Sequence, residues 1–142
     1  MEDVPQGPAE FARIFLRVVV AVAFVGIGIS HFVTPEPFVR IMPAVLPFPL
    51  ALVYISGAAE IAGGAGLLLA SSRRVAAWSL MVLLVAVFPA NINMAVNEIY
   101  FDAMPHQPWL LWARLPMQLV IMAVVYWVGI SGASQSHVEG GP

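Results

Sequence analysis

The sequence predicts an all-α protein, a four-helix transmembrane bundle forming a single domain over residues 1–142. Three observations predict it. The chain is 61% hydrophobic and only 10% charged, whereas soluble domains carry about 25% charged residues. Four apolar segments are long enough to cross a hydrocarbon core of ~30 Å, which takes about 20 helical residues. A proline-rich segment that cannot continue a helix separates the first two of them.

The four predicted spans cover about residues 11–32, 50–70, 75–96 and 109–130. Only residues 71–74 join the second span to the third, which predicts a tight hairpin. Residues 34–49 contain five prolines among apolar side chains. Because proline removes a backbone donor, we expect a short helix or loop lying in the membrane interface. Residues 97–108, between the last two spans, are polar and predicted to be solvated.

The arginines predict the orientation of the bundle. If the N-terminus is cytoplasmic, four arginines lie on the inner side and two on the outer side: Arg13, Arg17, Arg73 and Arg74 against Arg40 and Arg114. Cytoplasmic segments of membrane proteins carry an excess of basic residues. We therefore predict that both termini are cytoplasmic.

Composition excludes several kinds of site. The chain has no cysteine, which removes disulfides, thiol relays, iron–sulfur ligation and cysteine-type zinc sites. The three histidines, His31, His106 and His137, are not spaced as helical metal ligands. The net charge of −2 and the absence of a basic stripe argue against nucleic-acid binding. The sequence thus predicts no metal site and shows no evident cofactor motif.

Polar residues occur in the outer half of all four spans. Glu60 lies ten residues into the second span, near the membrane midplane. A charged residue there costs roughly 2.5–3.5 kcal/mol to insert and usually faces a partner or a cavity. We therefore predict a polar pocket that opens toward the outer face, with Glu60 as its floor. Its candidate ligand-binding or structural residues are His31, Glu60, Asn91, Asn93, Arg114 and Gln118.

Two states are open for Glu60. It can form an ion pair with Arg114, whose side chain always stays charged, or it can be protonated and donate to Asn91. An ion pair could also be purely structural and fix the helix register. Asn91 and Asn93 also suit hydrogen bonds between helices, and His31 suits an interfacial or capping role.

Prolines and glycines surround the predicted pocket. Pro89 and Pro116 fall inside spans, where each leaves the carbonyl four residues earlier without its amide partner. We expect the last span to kink at Pro116. Gly57, Gly63 and Gly64 lie near Glu60, where they would let helices approach closely or leave space for a head group.

Several motifs carry a family resemblance. They are GISHF at the end of the first span, IMPAVLP in the connection and SGAAEIAGGAGL around Glu60, followed by FPANINMA and RLPMQ in the last two spans. In order and spacing this set, over about residues 13–129, resembles the DoxX-like family of small bacterial membrane proteins. The resemblance implies a four-helix bundle in the bacterial cytoplasmic (inner) membrane. It also implies association with oxidoreductase systems, thiosulfate–quinone chemistry and oxidative-stress complexes, with thiols supplied by partners.

Three functions follow as hypotheses. The favoured one is a non-catalytic subunit or assembly factor of a membrane oxidoreductase or stress-response complex, which needs no cofactor ligands. The alternative is a quinone-, lipid- or isoprenoid-binding membrane protein, either a binder or an enzyme with Glu60 as the catalytic proton donor or acceptor. A small transporter is disfavoured because the chain has no internal repeat. The expected partners are membrane lipids and either another membrane protein or a second copy of the chain.

Overall fold

The fold consists of four long helices and one short one. A computed structural model describes residues 7–131, so residues 1–6 and 132–142, with His137 and both termini, lie outside the described part. The helices are α1 Pro8–Val33, α2 Glu36–Ile41, α3 Pro49–Leu68, α4 Arg73–Val96 and α5 Pro108–Gly129. Residues 7–131 contain no β-strand. This confirms the predicted all-α, four-helix fold class.

Four helices are long and apolar enough to cross a membrane: α1, α3, α4 and α5. Their ends lie within three residues of the predicted spans. Three of them begin at a proline, Pro8, Pro49 or Pro108. Proline suits the first helical position because the backbone amide it lacks would have no partner there. The chain is therefore a multi-pass membrane protein.

The proline-rich connection forms α2 and then a sharp corner. Phe48, the residue before α3, has a left-handed backbone conformation with φ 52°, which is uncommon for a residue other than glycine. Asn93 on α4 donates a side-chain hydrogen bond of 2.9 Å to the Ile41 carbonyl at the end of α2. This bond holds α2 against the bundle.

Helices α1 and α3 form the most extensive packing in the bundle. A Cβ added at Gly28 would lie 2.6 Å from the Gly57 carbonyl oxygen, and one added at Gly64 would lie 2.8 Å from the Ala21 carbonyl oxygen. Such small residues allow helix backbones to approach closely in membranes. Helix α3 then packs on α4 and α4 on α5, whereas α5 packs less extensively back on α1.

Two apolar clusters fill opposite ends of the bundle. The hairpin-end cluster, near the α3–α4 connection, comprises Ala21, Phe24, Leu67, Ala76, Ala77, Leu80, Leu84, Val125 and Ile130. The α2-end cluster comprises Ile41, Ala90, Met94, Ala95 and Leu111, with loop residues such as Phe101 packed against it. Between these two clusters lie four of the predicted site residues: His31, Glu60, Asn91 and Arg114.

Arginines bind the C-terminal ends of helices at the hairpin end. Arg17 Nε donates to the Val128 carbonyl at 3.0 Å, and Arg73 Nε donates to the Leu67 carbonyl at 3.2 Å. The last carbonyls of a helix have no partner within the helix and carry partial negative charge. These contacts place two of the four predicted inner arginines at the same end of the bundle.

Candidate functional site: a polar cavity within the bundle

A cavity of about 290 Å³ lies between the two apolar clusters. All five helices contribute to its wall. Phe24 and Leu84 of the hairpin-end cluster line it on one side, and Ile41 and Ala90 of the α2-end cluster line it on the other. Most of the wall is apolar, and the polar lining residues are His31, Ser56, Glu60, Asn91 and Arg114.

Four of the six predicted site residues therefore line one cavity: His31, Glu60, Asn91 and Arg114. Asn93 and Gln118 do not line it. The sequence predicts all six residues in the outer half of the bundle, and the structure separates those that face the cavity from those that face neighbouring helices.

Glu60 is buried, with 8% of its surface exposed. Its Oε2 atom lies 3.4 Å from His31 Nδ1. The Nδ1 atom, however, is 2.8 Å from the Ile27 carbonyl oxygen, which can only accept, so the ring proton belongs to that bond. Glu60 Oε2 consequently has no hydrogen-bond partner in the described chain.

His31 is held by two contacts. Besides the Nδ1 bond to Ile27 in the preceding helical turn, the ring stacks on Phe38 of α2, with centroids 3.9 Å apart and planes 20° from parallel. With the proton on Nδ1, the neutral ring carries its acceptor lone pair on Nε2.

The predicted ion pair between Glu60 and Arg114 is wrong: both line the cavity, but no salt bridge joins them. Glu60 also makes no hydrogen bond to Asn91, so neither of the two predicted contacts of Glu60 is formed. The guanidinium of Arg114 instead lies over the ring of Phe101, 5.8 Å from its centroid. Its Nε atom is buried without a hydrogen-bond partner. An aromatic face attracts such a cation but does not satisfy its N–H donors.

Gln118 joins α4 to α5. Its Oε1 accepts a 2.7 Å hydrogen bond from Asn91 Nδ2, and its Nε2 donates to the Leu84 carbonyl. Pro89 frees the carbonyl of Val85, and Gln118 bonds the carbonyl of the preceding residue, Leu84. With both ends of its amide used, Gln118 has a structural role in this arrangement.

Asn93 also contacts protein rather than the cavity. Besides its bond to Ile41, its Oδ1 accepts a 2.7 Å hydrogen bond from Asn97 Nδ2. Asn91 and Asn93 thus point in different directions, because residues two positions apart in a helix are separated by about 200° around its axis.

No sequence pattern predicts the aromatic closure at the α2 end. Phe38 of α2 and Phe101 of the 97–108 connection both line the cavity and meet edge to face, with centroids 5.7 Å apart. Isolated phenylalanines in apolar or loop segments are ordinary, so only the positions of these segments next to a predicted polar pocket could have suggested such a role.

The cavity also reaches the side of the bundle that faces lipid. Three of its lining residues are also exposed on the surface of the bundle: the exposed fraction is 45% for Val19, 48% for Ile27 and 36% for Ile121. Val19 and Ile27 belong to α1 and Ile121 to α5, the two long helices with the less extensive contact. We call this opening the α1–α5 portal. Among residues 7–131, no group of three His, Asp or Glu side chains could hold a metal ion.

Fold and site together define a multi-pass membrane protein with a largely apolar internal cavity, whose wall carries one acidic and one basic side chain. The chain belongs to the family described as Domain of unknown function (DUF8561), whose model matches residues 20–129. The match includes all six predicted site residues. No curated protein and no solved structure matches the chain.

Proposed function

We propose that this protein binds a lipophilic small molecule with a polar head group, of the quinone, isoprenoid or membrane-lipid class. The observation that carries the proposal is a pair of unsatisfied charges: Glu60 Oε2 and Arg114 Nε are buried on one cavity without hydrogen-bond partners. Burying a charged group without a partner is costly, and such residues inside membranes usually mark functional sites. A polar head group would supply the missing partners.

The cavity also suits such a ligand in size and position. Its volume of about 290 Å³ is close to the lower end of the ~300–1,000 Å³ typical of ligand pockets. That volume holds a head group, while the α1–α5 portal gives an apolar tail a route to the surrounding lipid. A purely structural polar core would need no open cavity, and Glu60 and Arg114 are the two charged residues that face this one.

The role of a non-catalytic subunit or assembly factor in a membrane oxidoreductase stays a second proposal. It is supported by the resemblance to DoxX-like proteins, as is a location in the bacterial inner membrane. The two roles are compatible, since a protein that holds a quinone can serve a larger oxidoreductase. The unsatisfied charges favour ligand binding as the property of this chain itself.

Native mass spectrometry of mildly solubilised protein, followed by organic extraction, tests the proposal. We expect a small molecule bound at one copy per chain, and its loss from Arg114→Leu. Gln107→Leu is the matched control because Gln107 is exposed and its side chain makes no capping bond. If the folded wild-type protein carries no small molecule and takes up no quinone, isoprenol or phospholipid, the proposal fails. A co-purifying polypeptide in its place would favour the subunit role.

A further inference from the structure

We infer that the head group bound in this cavity is neutral and carries both a hydrogen-bond donor, directed to Glu60, and an acceptor oxygen, directed to Arg114. This inference rests on the proposed function and narrows its ligand class. It follows from the charges, the hydrogen-bonding capacities and the aromatic residues of the cavity wall.

The charged side chains of the cavity wall balance each other. Arg114 cannot lose its proton, and Glu60 is the only acidic residue in the wall. An uncompensated cation in a low-dielectric site is costly, so the ionised form of Glu60 balances Arg114. His31 adds no charge in its neutral form, in which the single ring proton lies on Nδ1 and bonds the Ile27 carbonyl. With Glu60 ionised and His31 neutral, the wall has no net charge, and an anionic or cationic head group would upset that balance.

Glu60 and Arg114 differ in the hydrogen bonds that they can form. An ionised carboxylate only accepts and a guanidinium only donates. Because Glu60 and Arg114 do not contact each other, a single ligand that satisfies both must offer a hydrogen to one and a lone pair to the other. His31, which lies beside Glu60 in the wall, offers a second acceptor in its neutral form. The cavity therefore suits a ligand that has a hydrogen-bond donor near Glu60 and an acceptor near Arg114.

Aromatic side chains form the cavity wall at the α2 end. Phe38 and Phe101 meet edge to face at the α2 end, and His31 is already stacked on Phe38. Flat rings pack well against such surfaces. A ring with two oxygens, at least one of them a hydroxyl, on an apolar tail meets every condition. A hydroquinone is the simplest such ring.

A matched pair of ligands tests the inference directly. Decylbenzoquinone and its reduced hydroquinone have the same size and tail, but only the reduced form has hydroxyl donors. We expect the full-length protein in nanodiscs, under anaerobic conditions, to bind the hydroquinone at least about tenfold more tightly. A charge-assisted hydrogen bond to a carboxylate is large enough for that ratio. Equal binding, or tighter binding of the quinone, would overturn the inference.

Two variants assign the donor and acceptor sides. In Glu60→Gln the neutral amide can also donate, so the preference for the reduced form should fall at least threefold. Arg114→Met should weaken both forms while keeping the preference, and Gln107→Leu should change neither. The wild-type comparison is decisive even if a variant fails to fold.

The outcomes separate this inference from the proposed function. If decanoate binds more tightly than both rings, the head group is anionic and the inference is wrong, although the protein still binds lipophilic ligands. The same holds if neither ring binds but another small molecule co-purifies. If no lipophilic molecule binds at all, the proposed function fails as well.

Discussion

Gln118 shows how much a single polar side chain does in this bundle. It is 4% exposed and bonds Asn91 and the Leu84 carbonyl at once. We predict that Gln118→Leu lowers the free energy of unfolding by about 1–3 kcal/mol, because it leaves buried polar groups unsatisfied. Reversible unfolding in mixed micelles would measure the loss. The exposed Gln107→Leu should cost little, and equal losses for both variants would contradict the structural role of Gln118.

Single residues also show where sequence reasoning stops. The depth of Glu60 and Arg114 follows from counting along helices, and both do line the same cavity. Their contacts could not be predicted in this way. Arg114 lies over Phe101, a loop residue outside the spans, and Glu60 approaches His31, whose ring is oriented by Phe38. Such contacts depend on how helices rotate and where loops fold back, which hydropathy does not report.

At the scale of helices, glycine spacing sets the distance between α1 and α3. We predict that Gly28→Ala destabilises the protein, because the new Cβ would lie 2.6 Å from the Gly57 carbonyl oxygen and 2.8 Å from Ile61 Cγ1. Overpacking of this kind costs about 1–3 kcal/mol. Gly26→Ala, on the same helix with nothing within 4 Å of its added Cβ, should be neutral or slightly stabilising. Thermal unfolding in detergent would compare them, and equal melting temperatures would disprove the close packing.

Helix α2 is the element we expect to control access to the cavity from its own end. Because the chain has no cysteine, Ser56→Cys places a single thiol on the cavity wall. We predict that adding Phe38→Ala speeds its reaction with a small water-soluble maleimide several-fold, because Phe38 closes the wall with Phe101.

Labelling of Ser79→Cys, which lies on α4 outside this cavity, should be unaffected by Phe38→Ala. An unchanged rate at Ser56→Cys would mean that reagents enter only through the α1–α5 portal.

The helices were easier to predict than the connection that carries α2. Four runs of apolar residues of sufficient length locate the spans within three residues. The segment between the first two could only be predicted as a short helix or loop, because its prolines exclude a span without specifying a conformation. What holds α2 is the bond from Asn93 to Ile41, which joins residues 52 positions apart. A long-range contact of this kind leaves no local pattern in the sequence.

At the scale of the whole molecule, the cavity results from the order of the helices around the bundle. Helix α3 packs closely on α1 through glycines, whereas α5 returns to α1 with less contact. The hairpin-end cluster closes one end, and α2 with the 97–108 connection closes the other. The looser α1–α5 side is therefore where lipid and cavity meet, which fits a ligand that arrives from the membrane rather than from water.

The orientation of the whole bundle remains a prediction from arginine placement. Arg17 and Arg73 contact helix ends at the hairpin end, whereas Arg40 pairs with Asp102 on the α2 side and Arg114 lies over Phe101. Basic residues accumulate on the cytoplasmic side, so we expect the hairpin to be inside and the α2 end outside. Alkaline-phosphatase fusions should be active after residues 97–108 and inactive after residues 71–74, with fluorescent-protein fusions showing the opposite pattern.

Comparable immunoblot levels of the fusions would serve as the control for expression. If the pattern is reversed, the α2 end is cytoplasmic. The Phe38–Phe101 closure would then separate the cavity from the cytoplasm, and any proton that Glu60 exchanges past α2 would come from that side. The α1–α5 portal would keep its place, because it opens to lipid whichever way the bundle is inserted.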